Sequence, residues 1–151
     1  DVCSSDLGHF AEELFLEHPG SRKKQRFSPD MIEKGQLLPY MNGKLVFVNA
    51  LNYFPEVIRE ALTECNLKET DIDLLVPHQA NARITVAIQK ELNLPDEKVV
   101  SNIHKYGNTT AASIPIGICE AWEEGRIKDG DIVAIAGFGS GFTWASAIIR
   151  W

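Results

Sequence analysis

The apolar positions change period several times along the chain, and each change marks an element. Phe54, Val57, Ile58, Ala61 and Leu62 recur at helical spacing, which predicts a helix over 52–65 with Pro55 near its front. Thr70-Asp71-Ile72-Asp73 turns the chain into Leu74-Leu75-Val76. That run is too short and too apolar to be anything but a buried strand, and Pro77 ends it. Ile84, Ala87, Ile88 and Leu92 restore the helical period over 81–92. Pro95 breaks it, and Val99-Val100 is the next short strand. Ala111, Ala112, Ile114, Ile116, Ile118 and Ala121 make 109–124 a helix that is apolar over most of its circumference. A helix of that kind is usually enclosed on several sides. Pro115 falls within its first two turns, where proline is tolerated. The β-branched stretch 132–136 predicts a buried strand, 137–141 a glycine-rich turn, and 142–151 a final strand.

The front of the chain is less regular. Residues 1–7 are small and polar without a clear period, so they do not look like a strand. A short helix is predicted over 9–16, ended by the turn residues His18-Pro19-Gly20-Ser21. Residues 21–39 are charged and carry Pro29, Gly35 and Pro39. They read as an excursion, with a short helix over 29–34 for which Ser28 is a candidate N-cap. Asn42-Gly43 is a turn signal, and 44–48 reads either as a strand or as helix already begun. Strand–helix alternation with short connections predicts an α/β sheet with helices on both faces. The connection of about five residues between the last two strands suits an antiparallel pair. The expected division is 1–42, an irregular N-terminal segment and excursion, and 43–151, the main domain.

Composition narrows the function classes. A chain of 151 residues with 44% hydrophobic and 24% charged residues is one globular domain. The net charge of −6 argues against a general nucleic-acid binder. The local basic cluster Arg22-Lys23-Lys24-Gln25-Arg26 reads as a solvated loop. Three scattered cysteines, Cys3, Cys65 and Cys119, suggest neither a disulfide framework nor a metal site, and fit a reducing cytoplasm. Cys119, in an apolar stretch, reads as a buried small hydrophobe. No apolar run approaches the ~20 residues of a membrane span.

The candidate chemistry lies at strand ends. His78 follows a buried strand, where ligands of open α/β sheets sit, although a histidine there can also be purely structural. Asn108 after Gly107 is either a hydrogen-bonding site residue or a helix cap, with Thr109 as the alternative cap. His104 is a second candidate histidine, whereas His9 and His18 sit in weakly patterned sequence expected at the surface. Gly137-x-Gly139-x-Gly141 imitates a dinucleotide fingerprint, but the fingerprint needs a following helix, and 143–149 reads as a strand. The loop is therefore either a plain hairpin turn or a set of free N–H groups. Together the three strand ends would put a histidine, an asparagine and backbone donors on one rim, an arrangement suited to a developing enolate or oxyanion.

Three motifs carry a resemblance. Val76-Pro77-His78-Gln79-Ala80-Asn81, Gly107-Asn108-Thr109-Thr110-Ala111-Ala112-Ser113-Ile114-Pro115 and Phe138-Gly139-Ser140-Gly141-Phe142-Thr143-Trp144 occur in order. The stretch from Gly43 to Trp151 resembles the C-terminal half of beta-ketoacyl-[acyl-carrier-protein] synthase III, a thiolase-like condensing enzyme. The resemblance implies a thiolase-like fold, one of two α/β halves stacked as α-β-α-β-α, with helix 109–124 packed between two sheets. It implies an acyltransferase of fatty-acid biosynthesis that takes acyl-CoA and malonyl carrier protein as substrates and needs no cofactor and no metal. Its nucleophile is a cysteine on the other half, and no cysteine here sits in that context. The 151 residues alone are therefore expected to be inactive.

On the same resemblance, His78 and Asn108 would hydrogen-bond the malonyl thioester oxygen as it becomes an enolate. The Ser140 N–H would share an oxyanion hole with the cysteine's own N–H; the family often has glycine there. Phe138 would flank the site, and Asn81 would meet the pantetheine arm or a site water. Gly43 and Phe47 would line the pantetheine tunnel. Arg83 would receive the acidic acyl carrier protein, or else be a plain solvent-facing helix residue. The implied partners are acyl carrier protein and acyl-CoA, with a homodimeric, cytoplasmic enzyme and neither nucleic acid nor membrane. A synthase of specialised metabolism (polyketide, alkylquinolone, olefin or ester) and a non-catalytic carrier-protein or acyl-CoA binding module are the alternatives.

Overall fold

A computed structural model of the chain describes residues 2–20, 24 and 26–151. In chain order its elements are β1 (Val2–Asp6), β2 (Leu14–Phe15), α1 (Pro29–Glu33), β3 (Tyr40–Met41), α2 (Gly43–Glu64), β4 (Leu74–Pro77), α3 (Ala82–Glu91), α4 (Ile103–Tyr106), α5 (Ser113–Glu123), β5 (Ile132–Gly139) and β6 (Thr143–Arg150). Arg22, Lys23 and Gln25 of the basic cluster lie outside the described residues; Lys24 and Arg26 are exposed.

One sheet organises the molecule, in the order β1-β6-β5-β4. β4 and β5 are parallel, while β5–β6 and β6–β1 are antiparallel. Val99 adds a parallel bridge to Leu75 on the far side of β4, so the Val99-Val100 strand survives only as a bridge. Period-two alternation sends Leu75, Ala134, Ala136, Trp144 and Ile148 to one face, against Phe54, Val57, Ile58 and Ala61 of α2. Leu74, Val76 and Val133 go to the other face, with Ala121 of α5. The sheet is thus covered on both sides, as the alternation of elements predicted.

Six readings of the sequence need correction. Residues 1–7 include a strand: β1 pairs along its length with β6, from Val2 opposite Ala147 to Asp6 opposite Thr143. The region 9–16 is not a helix but a short 3-10 turn, Gly8–Phe10, followed by β2. The first long helix starts at Gly43, not near residue 52, and carries Pro55 in its interior. Its start is fixed by Asn42, whose side-chain oxygen accepts the Leu45 N–H at 3.3 Å while its amide donates to Glu13 at 2.9 Å. The apolar helix 109–124 is a 3-10 turn, Thr110–Ala112, followed by α5, and it packs on the sheet through one side. Pro115, Cys119 and Trp122 are exposed on α5, so Cys119 is not the buried hydrophobe expected. His18, expected at the surface, is 3% exposed.

Candidate active site

Because β4 and β5 run parallel, their C-terminal ends open on the same rim. His78 is the residue after β4, and its N–H extends the ladder to the Ala136 carbonyl at 2.8 Å. Ser140 is the residue after β5. Asn108 arrives from the loop beyond Val99, the third parallel segment. All three line a single cavity of about 980 Å³. Asn81, Phe138, Gly43 and Phe47 line it too. Arg83 does not; it is exposed in the first turn of α3. His104, the second candidate histidine, lies on α4 and is not among the residues that line the cavity.

Among the described residues, local hydrogen bonds leave Asn108 Nδ2 and the Ser140 N–H as free donors and leave His78 Nε2 without a partner. The His78 ring is partly buried, and its Nδ1 lies 2.7 Å from the Ser113 hydroxyl. Burial holds its pKa below the ordinary histidine value, because the charged ring loses hydration, and so favours the neutral ring. Asn108 Oδ1 accepts the Thr110 N–H at 2.9 Å. That bond decides which way the amide faces, and Nδ2 has no partner among the described residues. Thr110 sits at φ 53°, in a region that costs a β-branched residue about 1–2 kcal/mol. Gly107, at φ 70°, makes the turn into this segment. The Ser140 N–H makes no hydrogen bond to the described residues, while its carbonyl accepts from Thr143 at 2.9 Å.

A buried frame holds the loops. Gln79 is 1% exposed and uses every polar group of its side chain. Its amide donates to the carbonyls of Pro77 at 2.9 Å and Val100 at 3.1 Å, and its oxygen accepts from the N–H groups of Asn102 at 3.1 Å and Ile103 at 3.2 Å. Gln79 thereby ties the end of β4 to the segment that leads to Asn108. Glu120 on α5 clamps the same segment from the other side. It accepts from Asn102 at 2.7 Å, Tyr106 at 2.7 Å and Lys105 at 3.1 Å. Those bonds, Asn102 first, hold its carboxyl at a pKa of about 2.

Sequence reasoning missed Ser113, Gln79 and the contribution of β1, whose Ser4, Ser5 and Asp6 line the cavity. Gln79 lay inside the Val76–Asn81 motif, and a polar residue two positions past a buried strand was the available signal. Ser113 meets His78 across 35 positions, for which sequence holds no periodic cue. Cys3, Cys65 and Cys119 are all outside the cavity lining. Among the described residues no group of three or more His, Cys, Asp or Glu side chains is gathered as metal ligands would be.

The family described as 3-oxoacyl-[acyl-carrier-protein (ACP)] synthase III C terminal matches residues 62–151. The chain belongs to this family. Beta-ketoacyl-[acyl-carrier-protein] synthase III of Microcystis aeruginosa is 51% identical over 121 residues, covering 80% of this chain and 36% of that protein. The synthase III of Caldanaerobacter subterraneus subsp. tengcongensis is 42% identical over 137 residues, covering 91% of this chain and 41% of that protein. The crystal structure of the Thermus thermophilus synthase III superposes with a TM-score of 0.87 at 39% identity, over 99% of this chain and 45% of that one. The fold is therefore the thiolase-like α/β fold of synthase III. The chain spans less than half the length of these relatives. The superposition with the Thermus enzyme takes in the N-terminal part that sequence reading left unmatched.

Proposed function

We propose that these 151 residues supply the hydrogen-bond-donor side of a condensing active site. In this reading an acyl group passes from acyl-CoA to a cysteine thiolate lying outside these residues, with release of CoA. Malonyl carrier protein then loses carbon dioxide, leaving an enolate. The enolate carbon attacks the acyl thioester, the new C–C bond gives 3-oxoacyl carrier protein, and the cysteine thiolate leaves. The product begins a fatty-acid chain. Substrates apart, the proposal includes no cofactor.

The observation that carries the reading is the set of unpartnered groups on one cavity, counted among the described residues: His78 Nε2, Asn108 Nδ2 and the Ser140 N–H. A neutral imidazole and a carboxamide suit an oxygen that gains charge only during reaction, because donors aimed in advance need no reorganisation as that charge develops. The Ser140 N–H, with the N–H of the external cysteine, would hold the tetrahedral oxyanion. Ser140 in place of glycine leaves this role intact because the donor is backbone. Asn81, Phe138, Gly43 and Phe47 wall the passage for the pantetheine arm and acyl group. Arg83, exposed at the head of α3, would meet the acidic carrier protein. A cytoplasmic homodimer completes the proposal.

The test is malonyl carrier-protein decarboxylation by the complete polypeptide in which this chain occurs. His78→Ala and Asn108→Ala should each lower kcat by about 10²–10³. Unchanged decarboxylation in both variants would sink the reading. Since no cysteine lines the cavity, the 151 residues alone should form no 3-oxoacyl product.

A further inference from the structure

Ser113 carries an inference about the state of His78. It is the first residue of α5, and it is 2% exposed. Its hydroxyl oxygen lies 3.2 Å from the Gln79 N–H, which can only donate. The same oxygen lies 2.7 Å from His78 Nδ1. A single proton sits between oxygen and ring nitrogen, and it belongs to one or the other. If Nδ1 held it, the hydroxyl would accept from both His78 and Gln79. Its own proton would then need another acceptor in a buried place, and among the described residues Ser113 Oγ has no other partner. If the hydroxyl donates to Nδ1, every group is satisfied: Gln79 gives to Ser113, and Ser113 gives to His78. A hydroxyl proton without a partner is the costlier arrangement in a buried site.

We propose that Ser113 is a positioning residue that fixes His78 as the Nε2–H tautomer, so that the histidine faces the cavity as a donor and cannot serve there as a base. The inference rests on the reading of His78 as an enolate stabiliser, and it deepens that reading. The other ring nitrogen, Nε2, has no partner among the described residues, so its proton is available to a ligand oxygen. Gln79 orients Ser113 through its backbone and braces the Asn108 loop through its side chain. The donor state of His78 and the placement of Asn108 thus depend on one buried junction.

The experiment is nitrogen NMR of the imidazole rings in the complete polypeptide, with ¹⁵N-histidine and with His78 assigned from the spectrum of His78→Gln. The wild type should show Nε2 protonated and Nδ1 as a hydrogen-bonded acceptor. Ser113→Ala should give a mixture of tautomers and lower kcat for malonyl decarboxylation by about tenfold, with KM changed much less. Ser113→Thr keeps the hydroxyl and should restore the single tautomer. A wild-type His78 protonated on Nδ1 overturns the proposal, whatever the variants do. A pure Nε2–H tautomer in Ser113→Ala overturns it as well. If instead the tautomer follows Ser113 while His78→Ala leaves decarboxylation untouched, the functional reading fails and the positioning role stands.

Discussion

Ser113 and Ser146 are equally buried, each 2% exposed, and they differ in what their hydroxyls meet. Ser113 is engaged by His78 and Gln79. Ser146 Oγ, on the α2 side of β6, has no hydrogen-bond partner among the described residues. A buried hydroxyl left unpaired costs roughly 1–3 kcal/mol, and replacing it by hydrogen, as Ser→Ala does, removes that cost and leaves only a small void. Ser146→Ala should therefore raise stability by about 1 kcal/mol, or about 2–4 °C in Tm for a domain of this size. Calorimetry checks it, and a lower melting temperature would show that the hydroxyl has a partner in solution. The same accounting applied to Gln79 explains why a polar residue can occupy a fully buried place. All four of its side-chain bonds go to backbone groups of adjacent segments, so it replaces ladder bonds that the irregular loop cannot make.

Between elements, α5 lies tightly against the sheet at Gly117. A Cβ at Gly117 would lie 2.9 Å from Val76 Cγ1 and 3.2 Å from Val100 Cγ1. Alanine favours a helix over glycine by about 1 kcal/mol, but overpacking a tight contact typically costs about 1–3 kcal/mol. The second effect should win, because both valines are buried on the strand side and cannot swing away. Gly117→Ala is expected to destabilise the protein by about 1 kcal/mol net, read from the urea midpoint at unchanged m-value. A raised midpoint would mean that α5 lifts off the sheet without penalty. Elements with buried residues were legible in the sequence: α3 shows its helical period, and β4 and β5 are short apolar runs. β1 was not, because Val2, Ser4, Ser5 and Asp6 are exposed and only its ladder to the distant β6 makes it a strand. The start of α2 was hidden for a different reason. Pro55 suggested a first turn, while the true start rests on the Asn42 cap. In the site, His78 and Asn108 were legible because they follow strand ends, and Ser113 was not, because its contact depends on how α5 docks.

At the scale of the whole molecule, the two faces of the sheet are finished differently. The α2 side is closed over a large cluster that includes Phe54, Phe142, Trp144 and Ile148. On the other side, α5 covers Val76, Val100 and Val133 but turns a second apolar face outward. Pro115, Ile118, Cys119, Trp122 and Trp151 surround a shallow hollow of about 380 Å³ there, with Trp122 58% exposed and Trp151 39% exposed. The sequence pattern of a helix enclosed on several sides thus meets a helix covered on one. Apolar patches of this kind are seldom left in water, and two indole rings beside a helix are a strong driver of association. The isolated 151-residue chain should therefore self-associate. Sedimentation velocity should show a sedimentation coefficient that rises with protein concentration over the micromolar range. Replacing Trp122 and Trp151 by glutamine should shift the population towards monomer while the far-ultraviolet circular dichroism is kept, since both rings lie outside the two core clusters. A wild-type chain that stays monomeric throughout would mean that its own residues fold over the hollow, and an unchanged distribution in the double variant would move the association to another surface.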